Sequence, residues 1–121
     1  MKVFLSYSTK YGEIDRYTLL SFKKILIKLY KCEIYVDLID NQNNEDPQSC
    51  VEQQLKGCQM LILIDDSNAI KSEWVRKEIK IAKRNCIDMY SIDIASMKVS
   101  IESNDEMIVK NNLKVLKLID S

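Results

Sequence analysis

Met60-Leu61-Ile62-Leu63-Ile64 is the longest unbroken apolar run in this chain, and it decides the fold class. A short run that is apolar at every position is typical of a parallel strand covered on both faces. The acidic pair Asp65-Asp66 ends the run, and Ser67-Asn68 continues as a loop. We therefore expect a central strand over 60–64.

Segments with strand and helix patterns alternate on both sides of this run. The strand-like segments are rich in β-branched and aromatic residues, as in Val3–Leu5, Glu33–Asp37 and Ile87–Ile92. Apolar residues recur at helical spacing over about 14–31, 48–56 (with Gly57 as C-cap) and 72–85. The pattern weakens after residue 94, where we expect an edge strand over Lys98–Ile101 and a helix over 105–118.

This alternation predicts one α/β domain over residues 1–121, a small doubly wound parallel sheet of four to five strands with helices on both faces. In such sheets ligands bind beyond the carboxyl ends of the strands, where the strand order reverses. In this chain those ends carry the segments Ser6–Lys10, Asp37–Asp46, Asp65–Ile70 and Asp93–Met97. We expect the functional site there.

The composition excludes several classes of protein. The chain of 121 residues has 18 Lys+Arg, 18 Asp+Glu, no His and 2 Gly. Without His there is no Ser-His-Asp triad, no Cys-His pair and no His-containing zinc site. So few glycines leave no GxGxxG fingerprint and no GxxxxGK[ST] phosphate loop. The balanced charge argues against nucleic acid or an anionic membrane as the main partner.

The chain also lacks the patterns of an exported protein. No stretch is apolar for long enough to span a membrane, and the N-terminus becomes polar too early for a signal peptide. We therefore expect a cytoplasmic protein with reduced thiols. No two cysteines are spaced CxxC, so we interpret all of them as small apolar side chains and expect no metal site: Cys32, Cys50, Cys58 and Cys86.

The helix predicted over 72–85 carries two glutamates with opposite surroundings. Glu73 has Arg76 and Lys77 three and four residues later, which predicts a solvated surface ion pair. Glu78 has only apolar residues three and four positions away on either side: Trp74, Val75, Ile81 and Ala82. An unpaired carboxyl group against apolar surface is costly and has a raised pKa, which makes it a functional candidate. Alternatively, Glu78 lies at the edge of the apolar stripe and reaches water or a distant lysine.

Four segments resemble, in the right order, the conserved boxes of Toll/interleukin-1 receptor (TIR) domains. Val3–Ser8 resembles the first strand box, and Ile34–Asp37 the second strand with its terminal Asp. Leu61–Ser67 is similar to the third strand and its serine-containing loop. Ser72–Ile79 resembles the S-x-W-x-x-x-E motif of TIR domains that cleave NAD. The resemblance covers about residues 2–93 and implies a flavodoxin-like, TIR-like sheet.

In enzymatic TIR domains the glutamate of this motif is catalytic, so the resemblance assigns that role to Glu78 and implies NAD as the substrate. Breaking the bond between nicotinamide and ribose develops oxocarbenium character, which a preorganised carboxylate stabilises. Nicotinamide leaves as a neutral group without a general acid, so the lack of His is no obstacle. We expect no permanently bound cofactor, and ADP-ribose or a cyclic or conjugated ADP-ribose as the product.

The resemblance assigns five further residues to the substrate site: Tyr7, Ser8, Asp37, Ser67 and Trp74. Several of them also have a structural interpretation. Tyr7 is equally compatible with a packed ring whose hydroxyl is hydrogen-bonded, and Asp37 with a backbone cap at the end of its strand. Ser67, like Ser72, is a candidate helix N-cap. Trp74 is expected to pack over the glutamate and orient it.

The resemblance also implies partners. The loop Leu38–Pro47 is Asn-rich and lacks the Gly that many TIR domains carry there, which leaves the mode of TIR–TIR self-association open. A TIR domain without a receptor or coiled-coil segment resembles the small TIR proteins of bacterial anti-phage systems such as Thoeris. In those systems a TIR enzyme makes a small-molecule messenger for a separate effector protein.

The sequence is also compatible with other functions. The main alternative is a TIR interaction module, or adaptor, without turnover, which would not need the Glu78 motif. A flavodoxin-like FMN-binding protein is another, because Tyr7–Gly12 resembles a flavodoxin phosphate loop. A response-regulator receiver shares the order of elements but needs acidic residues after its first strand. A nucleoside deoxyribosyltransferase-like enzyme shares the N-glycosidic chemistry and a catalytic Glu.

Overall fold

The computed structural model describes residues 1–10, 12–41 and 46–117 of the chain. The strands are β1 (Lys2–Ser6), β2 (Glu33–Val36), β3 (Met60–Asp65), β4 (Asp88–Asp93) and β5 (Lys114–Val115). The helices are α1 (Arg16–Tyr30), α2 (Asp37–Asp40), α3 (Pro47–Lys56), α4 (Glu73–Arg84), α5 (Ile94–Glu102) and α6 (Glu106–Asn112), with a 3₁₀ turn at Ala69–Lys71. The predicted alternation of strands and helices is confirmed from β1 to β4.

Within the described residues the strands form one sheet in the order β2-β1-β3-β4-β5. Strands β1 to β4 are parallel, as predicted, whereas β5 runs antiparallel to β4 at the edge. The chain moves from β1 to β2 in one direction and returns past β1 to form β3. The carboxyl ends of β1 and β3 therefore flank the point where the strand order reverses, which is the expected place for a ligand.

Helices cover both faces of the sheet, so the predicted doubly wound α/β fold is confirmed. Alternate residues of β3 point to opposite faces. Ile62 and Ile64 pack in a core with apolar residues of α1, α5 and α6. Leu61 and Leu63 pack in a second core with apolar residues of α3 and α4. Each fully buried Leu or Ile contributes about 1.5–3 kcal/mol, and the second core is the one that holds α4 against the sheet.

The region after β4 differs from the prediction. The edge strand expected over Lys98–Ile101 is wrong, because these residues belong to α5. Asp93 caps this helix by accepting a hydrogen bond from the backbone N–H of Ser96 at 2.9 Å. Ile94, Met97 and Ile101 then recur at helical spacing and pack in the first core.

The helix expected over 105–118 is also shorter than predicted. It ends at Asn112, because Leu113 is extended (φ −69°, ψ 133°) and the chain turns into β5. The backbone N–H of Leu116 donates to the Met89 carbonyl oxygen at 3.0 Å, so pairing with β4 replaces further helical turns. Residue 118 lies outside the described residues, as do 42–45 of the predicted polar loop.

Two smaller predictions have mixed outcomes. Gly57 is the C-cap of α3, as predicted, with right-handed backbone angles (φ −85°) that any residue can adopt. The interpretation of the cysteines as buried fillers is confirmed for Cys58 but wrong for Cys86, which is exposed in a turn with φ 55°. None of the described helices combines the length and the apolar composition that a membrane crossing requires.

Candidate active site

Helix α4 carries Glu78, and its first turn is fixed by Ser72. The Ser72 hydroxyl accepts a hydrogen bond from the backbone N–H of Val75 at 3.3 Å, which confirms Ser72 as a helix N-cap. Trp74 and Glu78 are four residues apart on the helix, so their side chains lie next to each other on one face. Val75 and Ile79, which directly follow Trp74 and Glu78 in the sequence, are buried in the core between α4 and the sheet.

The carboxyl group of Glu78 is buried, with 3% of the residue exposed. The alternative that Glu78 sits at the edge of the apolar stripe and reaches water is therefore wrong. A distant lysine does not compensate it either, since the ion pairs within the described residues do not include Glu78. The surface ion pair expected for Glu73 is also not formed in this part of the chain.

Two neutral side chains act on the Glu78 carboxyl group. The Ser6 hydroxyl, at the end of β1, donates a hydrogen bond to Oε1 at 2.9 Å, and the neighbouring Trp74 side chain also lowers the pKa of the carboxyl group. Burial outweighs both effects and, together with the negative charge of Asp37, raises the pKa of Glu78 to about 8. Glu78 is therefore held ready to change its charge near neutral pH.

Glu78 opens onto a cleft at the carboxyl ends of β1 and β2, with a volume of about 300 Å³. We call it the Glu78 cleft, and it is lined by Tyr7, Ser8, Thr9, Lys10, Asp37, Leu38, Ser72, Trp74 and Glu78. The fold thus brings Tyr7, Ser8, Asp37 and Trp74 together with Glu78, as the sequence analysis expected. Trp74 and Glu78 also border a smaller pocket of about 170 Å³ between α3 and α4.

Tyr7 forms one wall of the cleft and combines both interpretations given to it. Its ring packs against the first core, and its hydroxyl oxygen accepts a hydrogen bond from the backbone N–H of Leu38 at 2.8 Å. Burial is the main cause that raises the pKa of this phenol, and the nearby carboxylates add to it. Tyr7 therefore stays neutral and fixes the start of α2 beside the cleft.

Asp37 is a second acidic residue that lines the Glu78 cleft. Its Oδ1 accepts hydrogen bonds from the Tyr35 hydroxyl at 2.9 Å and from the Asn41 side-chain amide at 2.8 Å. The expectation that Asp37 caps a backbone group is wrong, since Asp40 accepts the nearby backbone hydrogen bond, from Val36 N–H at 2.7 Å. Asp37 instead holds a negative charge close enough to Glu78 to influence its pKa.

Ser67 does not join these residues. It does not line the Glu78 cleft, and its backbone adopts φ 69° in the turn after β3. Its N–H donates to the Asp65 carboxylate at 3.0 Å. Asn68, and not Ser67, precedes the 3₁₀ turn, so the helix-cap interpretation of Ser67 is wrong.

Ser6 contacts Glu78 but is not among the site residues predicted from the sequence. The signal for it was present in the alternation of β1: Val3 and Leu5 face the first core, whereas Phe4 faces the second core, on the side of α4. Ser6 follows Phe4 by two positions and therefore points to the same side. A hydroxyl at that position reaches the helix that carries Glu78.

No family model matches the chain, and no curated protein matches it in a sequence search.

Proposed function

We propose that this protein is a TIR-like enzyme that cleaves the bond between nicotinamide and ribose in NAD, with Glu78 as the catalytic residue. The observation that carries the proposal is the state of this carboxyl group. It is 3% exposed, its hydrogen-bond donor Ser6 is neutral, the charged neighbour that shifts its pKa, Asp37, is negative, and it lines an open cleft. A site of this kind favours a cation next to Glu78.

The reaction breaks the bond between the ribose anomeric carbon and the nicotinamide nitrogen. The bonding electron pair leaves with nicotinamide, which turns from a pyridinium cation into a neutral base, and positive charge develops on the ribose. The ionised Glu78 stabilises that charge across the cleft, and Ser6 and Trp74 hold the carboxylate in position. Attack by water gives ADP-ribose and one proton, whereas attack by the adenine of the same molecule gives a cyclic product and one proton.

The raised pKa of Glu78 fits this role once the substrate is bound. In the empty site, burial and Asp37 favour the neutral acid. A bound pyridinium cation has the opposite effect, because an opposite charge nearby favours the ionised carboxylate. The carboxylate therefore forms as the cationic substrate arrives, and its charge is available when the ribose becomes positive.

The resemblance to small TIR proteins of anti-phage systems supports the biological part of the proposal. The product would act in the cytoplasm as a messenger for a separate effector protein, and TIR–TIR self-association would control turnover. Self-association predicts that specific activity rises with protein concentration.

The decisive experiment measures nicotinamide release from NAD by the purified protein over a range of protein concentrations, with the products resolved by mass. We expect release by the wild type, at least a hundredfold less by Glu78→Gln, and wild-type release by Glu13→Gln, which removes an exposed carboxylate that does not line the Glu78 cleft. A cyclic product would weigh one water less than ADP-ribose.

The outcomes separate the proposal from its alternatives. Equal release by the wild type and Glu78→Gln would refute the role of Glu78. No release at any concentration would favour the adaptor without turnover. A flavin absorption spectrum in the purified protein would favour the flavodoxin-like FMN-binding protein.

A further inference from the structure

A second concave surface adjoins the Glu78 cleft on the side of the α4 N-terminus. We call it the cationic recess; it has a volume of about 560 Å³ and is lined by Lys10, Lys71, Ser72, Glu73, Trp74, Arg76 and Lys77. Three of these residues also line the Glu78 cleft: Lys10, Ser72 and Trp74. The two spaces therefore share a wall, and a ligand longer than a nucleoside can occupy both.

The charge of the recess differs from that of the whole chain. The protein has 18 basic and 18 acidic residues, whereas the recess is lined by four basic side chains and one carboxylate, Glu73. In the described part of the chain Glu73 makes no ion pair with Arg76 or Lys77. The recess therefore has a net positive charge, which attracts anions.

Arg76 is held in place by the backbone of the preceding turn. Its Nη1 donates to the carbonyl oxygens of Ile70 at 3.2 Å and Lys71 at 3.1 Å. These bonds fix the guanidinium group at the rim of the recess without neutralising its charge. A positioned guanidinium flanked by ammonium groups is the donor set that phosphate oxygens prefer.

We propose that the cationic recess binds the diphosphate of a dinucleotide whose nicotinamide ribose lies at Glu78. This inference rests on the proposed function for the identity of the reacting end. The shared wall supplies the link, because Lys10 and Trp74 contact both spaces. The cleft thus contributes the chemistry, and the recess contributes affinity for the phosphate half of the substrate.

The test compares two ligands and two double variants. The ligands are ADP-ribose, which carries the diphosphate, and nicotinamide riboside, which has the reactive bond without any phosphate. Lys71→Gln with Lys77→Gln removes two charges from the recess, and Lys24→Gln with Lys98→Gln removes two exposed charges on α1 and α5 as the matched control. Binding is measured by calorimetry at low and high salt.

We expect the recess double variant to bind ADP-ribose about tenfold more weakly at low salt, with a smaller loss at high salt. The control variant should bind ADP-ribose like the wild type, and nicotinamide riboside should bind equally to all three proteins. Circular dichroism checks that each variant is folded, and the single variants Lys71→Gln and Lys77→Gln replace the pair if it does not fold.

Equal affinity of the wild type and the recess variant for ADP-ribose would overturn the inference, and so would an equal loss for nicotinamide riboside. These results are independent of turnover. Weaker ADP-ribose binding without nicotinamide release from NAD would support the recess and refute the proposed reaction. Release that depends on Glu78, with unchanged ADP-ribose binding, would support the reaction and overturn the recess.

Discussion

Raising the pH should destabilise the wild-type protein relative to Glu78→Gln, because Glu78 takes up its proton more tightly in the folded state. Burial raises its pKa from the ordinary 4.5 to about 8. Between these two pH values the folded protein retains a proton that the unfolded chain has lost. The free energy of unfolding therefore falls as pH rises through this window. This sign is opposite to that of a carboxylate stabilised by an ion pair, whose contribution is lost on acidification.

The magnitude follows from the two pKa values. Each pKa unit corresponds to about 1.4 kcal/mol, so the change from 4.5 to about 8 corresponds to about 5 kcal/mol over the whole window. About 4 kcal/mol of this falls between pH 5 and pH 9. That is a large part of the roughly 5–15 kcal/mol by which a folded domain is stable.

Urea unfolding of the wild type and Glu78→Gln at several pH values measures this difference. Gln keeps the shape of the side chain and the acceptor oxygen for Ser6 but has no carboxyl proton. Groups that titrate in both proteins cancel in the comparison, and Glu13→Gln, an exposed control, should follow the wild type. We expect Glu78→Gln to gain about 4 kcal/mol over the wild type between pH 5 and pH 9.

A difference that stays constant with pH would refute the reasoning. It would mean that the Glu78 carboxyl group ionises at its ordinary pKa and is therefore hydrated. A difference that grows on acidification would mean that an ion pair stabilises the carboxylate in the folded state. Either result would remove the physical basis for assigning a special role to this residue.

Two substitutions test the groups around Glu78, and one labelling reagent tests the exposure of the cysteines. Ser6→Ala removes a hydrogen bond that favours the ionised Glu78, so the pKa of Glu78 should rise in a carbon NMR titration of its carboxyl group, and stability should fall by about 1 kcal/mol. Asp37→Asn removes the negative neighbour, so the same titration should show a lower pKa. Iodoacetamide should label the exposed Cys86 at least tenfold faster than the buried Cys58, whose pKa burial raises to about 11, as mass mapping of the modified peptides would show.

The fold was predictable up to β4 because the sequence pattern of each segment agrees with the packing of that segment in the structure. The apolar run 60–64 is typical of a strand covered on both faces, and the apolar stripe of α4 matches the core that it meets. After β4 the sequence pattern and the packing no longer agree. Lys98–Ile101 has enough β-branched residues to resemble a strand, but the Asp93 cap and the position of Met97 in the core select a helix. The antiparallel edge strand β5 has only two residues, too few for a pattern in the sequence.

The site was predictable where one element determines it. The spacing of Trp74 and Glu78 on a single helix places both side chains on one face of that helix, whatever the rest of the chain does. Contacts between elements were not predictable in the same way. The bond from Ser6 to Glu78 joins residues 72 positions apart, and the Tyr35 hydroxyl reaches Asp37 only because α2 begins directly after β2. Ser67 shows the converse, since it lies in the expected loop but does not line the Glu78 cleft, and its backbone N–H bonds to the nearby Asp65 carboxylate.

The groups that act most strongly on the Glu78 carboxyl group are neutral or negative. A buried carboxyl group that had only to remain stable would be accompanied by a cation, and lysines and arginines are plentiful in this chain. Instead the neighbouring Ser6 and Trp74 are neutral, and Asp37 adds a second negative group. Lys10 also lines the cleft but is not among the groups that shift the pKa of Glu78. Placing a cation there lowers the pKa of Glu78 and recovers the stability that burial of the acid withholds at neutral pH. A neutral ligand of the same shape would not lower the pKa of Glu78 and would recover none of this stability. We therefore expect the cleft to prefer a cationic ligand to a neutral one of the same shape, and in the proposed function that cation is the oxidised nicotinamide.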